Sequence, residues 1–256
     1  MKVVIVGSGN VATVLSEAIH KAGHEIVQVI SRNIDHAKAL ASKYNAEGVA
    51  LTRPEFAVAD IYVVAINDAA LESLEKISGF KNKFIIHTAG SVSKDVLRNI
   101  SSTYGVLYPL QTLSSHTDGI PEMPFLVEGS SKETLEKITA FATTLSSIVI
   151  PANETDRLRY HVAAVFAGNF TNHLYAVAES FCTKEGIDFK NLLPLIREVT
   201  GRVVSNNSPR DVQTGPAIRE DIFTLNRHLQ TLTPHPDLKY LYLKLSESIL
   251  KLYEKR

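Results

Sequence analysis

Two glycines near the start of the chain have the spacing that a nucleotide pyrophosphate requires. In KVVIVGSGNVATVL, Gly7 and Gly9 directly follow a β-branched apolar run and precede a helical pattern. The first glycine permits a tight turn, the second lets the backbone approach a pyrophosphate, and the small Ala12 allows helix and strand to pack. A turn that only joins strand to helix is the alternative. The residues expected to hold a dinucleotide are Gly7, Ser8, Gly9, Asn10 and Val11.

The end of the second apolar run indicates which dinucleotide to expect. Residues 26–30 (IVQVI) are followed by Ser31, Arg32 and Asn33, with no carboxylate to accept from a ribose 2′-hydroxyl. A guanidinium pairs with a 2′-phosphate, and a serine hydroxyl donates to it. NADP is therefore the predicted cofactor, with Ser31 and Arg32 at its 2′-phosphate. The alternative is that Arg32 is only a solvated surface charge.

Polar residues also follow the later strand-like runs, at the edge where open α/β sheets bind ligands. Asn67 and Asp68 follow VVAI, HTAGS follows FII, and YPLQT follows the next run. Small hydroxyl and glycine positions suit contact with a nicotinamide or a substrate. Each of these side chains can equally be a loop polar group that is hydrogen-bonded within the protein. The further cofactor contacts expected here are Asn67, Asp68, His87, Gly90 and Ser91.

A mostly apolar helical segment, RYHVAAVFAGNFTNHLYAVAES, carries an unusual set of polar side chains. A helical period places His161, Gly168, Asn169 and Asn172 near one face. The glycine leaves room for a ligand, and the imidazole can exchange a proton near neutral pH. Alternatively, the histidine is packed and hydrogen-bonded, and the amides only join helices.

The segment QTGPAIRED is a second polar group. Pro216 suits the first turn of a helix, from which Arg219 and Asp221 then project. Arg219 can bind a substrate carboxylate through two hydrogen bonds, or it can pair with Asp221 at the surface. The candidate catalytic residues are therefore His161, Asn169 and Arg219.

Two patterns of different period divide the chain. Strand-like runs alternate with helical periods to about residue 150, which predicts a doubly wound Rossmann-type parallel sheet. After Pro151 the strand-like runs disappear, and an all-α domain is expected. The fold class is therefore α/β followed by all-α, with domains at 1–152 and 153–256. The predicted strands are 3–6, 26–30, 61–66, 84–87, 105–108, 125–127 and 148–150, and the predicted helices are 11–22, 35–44, 69–77, 132–145, 154–186, 189–204, 216–232 and 237–254.

The composition of the chain indicates which binding partners to expect. Lysine plus arginine (27) equals aspartate plus glutamate (27), so the chain has no large field to attract nucleic acid or an anionic membrane. No run approaches the roughly 18 apolar residues of a membrane span, and the first strand has no cleavable signal before it, so we expect a cytoplasmic location and a small-molecule substrate.

Cys182 is the single cysteine, and histidines and carboxylates lack metal-ligand spacing, so no metal is predicted. The apolar helix at 154–186 predicts a homodimer.

The whole chain resembles a family of Rossmann-like NADP oxidoreductases that carry a helical C-terminal domain of unknown function of the DUF2520 type. The resemblance rests on VGSGNVA, ISRN, HTAGS, YPLQT, HVAAVFAGNF and QTGPAIRED. Distant relatives of this family are pyrroline-5-carboxylate reductase, the β-hydroxyacid dehydrogenases and the deazaflavin-dependent NADP reductases. The resemblance implies an N-terminal NADP-binding domain and a helical domain that closes the active site and mediates a dimer.

The chain departs from one of these relatives at a catalytic position. β-Hydroxyacid dehydrogenases carry a lysine four residues before an asparagine, and here Asn169 matches the asparagine while Val165 stands at the lysine position. Acid–base work then falls to His161, to a hydroxyl such as that of Tyr108, or to no protein group. The predicted function is NADP(H)-dependent hydride transfer to or from a small polar carbonyl, imine or hydroxy compound in the cleft between the domains. The alternative is a catalytically silent dinucleotide-binding sensor or scaffold.

Overall fold

The chain forms two compact units in the computed structural model, which describes residues 1–52, 55–74, 79–114, 119–205 and 208–254. The first unit is Met1–Thr171 and the second is Asn172–Arg256. The first unit therefore contains the sheet and also the helix Glu154–Ala164, which follows the last strand. Arg157 on that helix contacts Glu128 on the strand Phe125–Gly129. A domain boundary at 152/153 stays a prediction.

One eight-stranded sheet forms the centre of the first unit, in the order β3-β2-β1-β4-β5-β6-β7-β8. Strands β1 to β6 are parallel, β7 is antiparallel to β6, and β8 is parallel to β7. This confirms the Rossmann-type α/β fold. The strands are β1 (Lys2–Val6), β2 (Glu25–Ser31), β3 (Glu47–Ala50), β4 (Ile61–Val64), β5 (Ile85–His87), β6 (Tyr104–Pro109), β7 (Phe125–Gly129) and β8 (Val149–Pro151).

Strand β3 is the one that the sequence analysis missed. It contains only four residues, EGVA, and none of them is fully buried. The apolar run that identified the other strands is therefore absent. Its pairing with β2 and the close approach of α2 to Gly48 hold it in the sheet.

Helices cover both faces of the sheet: α1 (Asn10–Lys21), α2 (Ile34–Ala41) and α4 (Lys132–Leu145) pack into one apolar cluster, and α3 (Asp68–Leu71) packs into the other. Helix α5 (Glu154–Ala164) follows β8. Alternate residues of β1 enter two different apolar clusters, Val3 and Ile5 on one face and Val4 and Val6 on the other. A strand buried on both faces reads as a continuous apolar run, which is why β1 was recognisable. Helix α3 is shorter than predicted, and residues 75–77 of that prediction lie outside the described residues.

The second unit is helical, with α6 (Thr171–Glu185), α7 (Leu193–Ser205), α8 (Ile222–Thr231) and α9 (Pro236–Tyr253). The helix expected over 154–186 is present, but its segment Val165–Phe170 is π-helical and separates α5 from α6. In the described part of the chain, no helix has the length and apolar character to cross a membrane.

The start predicted for the helix at 216–232 is wrong. Residues 216–220 form turns, and Glu220 has a left-handed φ of 54°. Helix α8 begins only at Ile222, where Asp221 Oδ1 accepts from the Thr224 amide at 3.0 Å. The aspartate cap thus sets the helix start instead of Pro216. Of the break predicted at 206–209, Asn206 and Asn207 lie outside the described residues.

Candidate active site and cofactor cleft

In the turn between β1 and α1, position 7 has a backbone geometry that favours glycine. Gly7 has a φ of +127°, and a methyl group there would overlap the carbonyl oxygen of Ala65. Gly9 differs, since a methyl group there would meet no atom within 4 Å. Space is therefore open in front of Gly9, at the start of α1, where no side chain caps the helix. This is the arrangement that lets a pyrophosphate reach a helix N-terminus.

A cavity of about 590 Å³ lies beside this turn at the carboxyl ends of β1, β2 and β4. The hydroxyls of Ser8 and Ser31 are 2.7 Å apart, and Arg32 is exposed at the cavity wall. Asn33 instead caps α2, because its Oδ1 accepts from the Asp35 amide. The donor set of two hydroxyls and a guanidinium fits a 2′-phosphate. Of the predicted cofactor contacts, the structure places Gly7, Ser8, Gly9, Ser31, Arg32 and Asn67 on this cavity.

Other predicted cofactor contacts are used within the protein. Asn67 Oδ1 accepts from the Ala70 amide at 3.0 Å and caps α3, and the Ser91 hydroxyl donates to Asp68. Neither Asp68 nor Ser91 lines the cavity. Asn10 is the first residue of α1. Binding roles for these residues stay predictions.

The His87 ring is fully buried and faces its own loop. The Ala89 amide donates to Nδ1 at 3.2 Å, and Nε2 lies 3.3 Å from the Ser93 carbonyl oxygen. Burial, and then the charge of Arg157, lower the pKa of His87 to about 4. The imidazole is therefore neutral at pH 7, with its Nε2 proton directed to Ser93. It shapes the loop at residues 88–93, and a contact with the cofactor stays a prediction.

A second cavity, of about 660 Å³, opens farther along the same strand ends. Tyr108, at the end of β6, places its hydroxyl 2.8 Å from Nδ1 of His161 on α5. Burial raises the pKa of Tyr108, and the nearby Asp68 carboxylate adds to the effect. Gly90 packs against this pair, since a methyl group there would lie 2.8 Å from Tyr108 Cζ and 3.0 Å from His161 Nδ1. Three residues from three separate sequence motifs thus meet at one point.

The π-helical segment brings further predicted residues to the same cavity. His161, Val165, Gly168 and Asn169 all line it, as does Val11 from α1. A π-turn holds more residues than an α-turn and often marks a functional site. The predicted helix face assumed a regular α-helical period, so the π-helical segment was not expected. Val165 places an apolar side chain in the cavity wall at the position where β-hydroxyacid dehydrogenases have lysine.

One buried charged residue was missed by the sequence analysis. Arg157, one helical turn before His161, is 0% exposed and contacts Glu128 at 2.6 Å and the Val92 carbonyl oxygen at 2.7 Å. The helical period that placed His161 inward also places Arg157 on that face, and this was the available signal.

The remaining candidate, Arg219, belongs to the second unit. It is exposed on the turn before α8, and its charge is a minor cause of the lowered pKa of Asp221, after the hydrogen bonds from Thr224. Its catalytic role stays a prediction. Within the ranges that the structure describes, no three histidine, cysteine or acidic side chains are placed to hold a metal ion.

Comparison with known proteins identifies the family. Residues 2–90 match the family described as "NADP oxidoreductase coenzyme F420-dependent", and residues 123–249 match the domain of unknown function DUF2520. The crystal structure of a "putative NADP oxidoreductase" from Bacteroides fragilis is 39% identical, with a TM-score of 0.89 and 98% of each chain covered. The chain belongs to this family of NADP-dependent oxidoreductases, and its cofactor is NADP.

More distant structures share the fold. A 1-pyrroline-5-carboxylate reductase from Streptococcus pyogenes is 16% identical, with a TM-score of 0.64 and 98% of each chain covered. A reductive aminase from Aspergillus terreus, in complex with NADPH and ethyl-5-oxohexanoate, is also 16% identical, with a TM-score of 0.69 and coverage of 96% of this chain and 94% of the aminase. No curated protein matches the chain.

Proposed function

We propose that this protein transfers a hydride between NADP(H) and a small polar carbonyl, imine or hydroxy compound bound in the cavity beside Tyr108 and His161. The observation that carries the proposal is the adjacency of the two cavities along one sheet edge. Gly9 lines the first, and Val11, two residues later, lines the second. A dinucleotide extending from the glycine turn along the strand ends would reach the Tyr108–His161 pair.

The binding residues divide into two groups. The amides at the start of α1 bind the pyrophosphate, which approaches across the open space at Gly9. Ser31 and Arg32 bind the 2′-phosphate, and the hydroxyl of Ser8 lies 2.7 Å from that of Ser31. Asn169, in the second cavity, supplies an amide to orient the substrate.

Bound NADPH supplies the hydride, and the protein must supply a proton to the reduced oxygen or nitrogen. A tyrosine phenol keeps its proton at neutral pH, and burial raises the pKa of Tyr108 further. The phenol and the imidazole of His161 therefore hold a proton between Oη and Nδ1 at the cavity wall. This pair does the acid–base work for which related enzymes use a lysine.

The test is NADPH consumption by the purified protein with matched substrates. Cyclic imines, aldehyde–amine mixtures, neutral ketones and keto acids are each supplied to the wild type and to His161→Gln. We expect turnover with at least one class, and a lower kcat in the variant. Turnover unaffected by His161→Gln with every accepted substrate would remove the pair from the proposal.

The proposed role of Arg219 needs its own comparison. If its guanidinium binds a substrate carboxylate, Arg219→Ala raises KM for a keto acid by about tenfold or more and leaves KM for the matching neutral ketone unchanged. Equal changes for the two substrates would contradict carboxylate binding.

A catalytically silent NADP sensor is the second candidate, and Val165 favours it. An apolar side chain in the cavity wall cannot replace the proton chemistry of lysine. NADPH binding without consumption across the whole substrate panel would support the sensor and overturn the enzyme.

We also propose a homodimer formed through the helical unit. Of the described residues in α6–α9, only Cys182 is buried. Large apolar side chains stay exposed there, including Phe223 at 72%, Tyr240 at 65% and Leu195 at 59%. Such surface is typical of an interface. Light scattering should give a dimer at micromolar concentration, and a monomer would contradict the proposal.

A further inference from the structure

Arg157 is a buried cation that the proposed chemistry does not use. Its Nη1 donates to Glu128 Oε2 at 2.6 Å, and its Nη2 donates to the Val92 carbonyl oxygen at 2.7 Å. The other carboxylate oxygen of Glu128 accepts from Lys94 Nζ at 2.7 Å. One guanidinium therefore joins α5, β7 and the loop at residues 88–93.

Each of these three elements carries or supports part of the proposed proton-donating pair. On α5, Arg157 lies four residues before His161 and so on the same helix face. Glu128 on β7 is paired with Val106 on β6, two residues before Tyr108, and residues two apart in a strand face the same side. The loop places Gly90 against both rings. A shift of Arg157 would therefore move the two rings relative to each other.

The arrangement is a poor way to gain stability. A buried ion pair carries a desolvation cost that its attraction often only balances. In addition, Arg157 Nε has no hydrogen-bond partner within the described part of the chain. An apolar side chain of similar volume would avoid both costs. The contribution of Arg157 is therefore to the geometry of the groups around it and not to stability.

We propose that Arg157 is a positioning residue that fixes the hydrogen bond between Tyr108 Oη and His161 Nδ1. The proposal rests on the proposed function, since it matters for turnover only if that pair supplies the proton. Its structural part concerns the hydrogen bond itself, which can be measured without a substrate.

The first experiment observes the His161 ring directly by ¹⁵N NMR of the full chain at neutral pH. Arg157→Lys keeps a cation but loses the two-pronged contact, and Tyr108→Phe gives the reference signal for an imidazole without the phenol partner. The exposed Arg159 forms an ion pair with Asp156 on its own helix, so Arg159→Lys is the matched control. We expect Arg157→Lys to move the Nδ1 signal at least half of the way to that reference, and the control to leave it unchanged. An unchanged signal in Arg157→Lys would overturn the proposal.

The second experiment is a double-mutant cycle on kcat. Because small misplacements of reacting groups cost up to about 100-fold in rate, we expect Arg157→Lys to lower kcat by about 10- to 100-fold, with KM and NADPH affinity retained. In the Tyr108→Phe background the same change should have little further effect. Equal factors in both backgrounds would overturn the positioning role. If no substrate is turned over, the proposed function fails, while the NMR result still decides the inference.

The inference can also be tested if Arg157→Lys does not fold. Glu128→Gln keeps the volume of the carboxylate and weakens the same link, so it serves as a second variant. If Arg157→Lys and Glu128→Gln both fail to fold, the cluster holds the fold rather than the pair, and the inference is overturned. If either folds, its His161 signal is compared with the reference in the same way.

Discussion

Tyr108 and His161 are 53 residues apart in the chain, yet their side chains share a 2.8 Å hydrogen bond at the wall of one cavity. Their rings meet edge to face, with centroids 5.7 Å apart. The contact joins the end of β6 to α5. Two separately predicted candidates thus form one pair that holds a proton.

We predict that removing either partner of this unit slows turnover. Tyr108→Phe removes only the hydroxyl, and His161→Gln removes the titratable ring. Because a positioned general acid contributes typically 10²–10⁴-fold, each should lower kcat by about 100-fold or more. The double variant should be little worse than either single one, since both act through the same proton. Multiplicative losses measured by steady-state kinetics would show that the two side chains act independently.

The two glycines of the β1–α1 turn should respond differently to the same substitution. Gly7→Ala forces a positive φ on alanine and a clash with Ala65, so it should lower the free energy of unfolding by about 3 kcal/mol or more. Gly9→Ala meets no protein atom, so it should keep wild-type stability while weakening NADPH binding at least tenfold. Urea unfolding and NADPH titration measure the two effects. Wild-type NADPH affinity in Gly9→Ala would contradict the binding role of the turn.

The buried His87 should make the fold sensitive to mild acid. Its folded pKa of about 4 lies below the unfolded value near 6.5, so the unfolded chain binds a proton first as the pH falls. Stability from this residue is therefore complete above about pH 6.5 and is lost toward pH 4. Between pH 7 and 5 the loss is about 2 kcal/mol. The charges facing His87 are Arg157, which lowers its pKa, and Asp68 and Glu128, which raise it.

Urea unfolding at pH 7 and pH 5 tests this dependence. His87→Asn keeps an acceptor for the Ala89 amide but cannot be protonated, so it should lose about 2 kcal/mol less than the wild type over that range. His36→Asn, at an exposed position on α2, is the control and should behave as the wild type does. The same loss in His87→Asn as in the wild type would assign the sensitivity to other groups.

Much of the fold was predictable because it rests on local signals. A few adjacent residues are enough to recognise the apolar run of β1, the glycine turn and the amphipathic helix α1. Strand β3 was not predictable, since its four residues carry no apolar run, and its pairing with β2 and its contact with α2 hold it in the sheet. The false start at Pro216 arose because two local cap signals competed, and the Asp221 cap prevailed.

The site was predictable as a set of residues but not as a geometry. His161, Asn169, Tyr108 and Gly90 were all recognised from their types, yet no periodicity links β6 to α5 or to the 88–93 loop. Arg157 was missed because a charged residue in a helix usually faces solvent, and its burial depends on Glu128, 29 residues earlier. The helical period does place Arg157 on the face of His161, but the distant partner that permits its burial leaves no trace in local sequence patterns.

The most direct test of the account is a titration that follows the fluorescence of NADPH and of NADH with wild-type protein and with Arg32→Ala. Since Arg32 and Ser31 are assigned to the 2′-phosphate, the wild type should bind NADPH about 10- to 100-fold more tightly than NADH. Arg32→Ala should remove this preference and leave NADH affinity unchanged. The exposed Lys43→Ala, which removes the same charge elsewhere, should change neither. An equal loss of NADPH and NADH affinity in Arg32→Ala, or no preference in the wild type, would contradict the account.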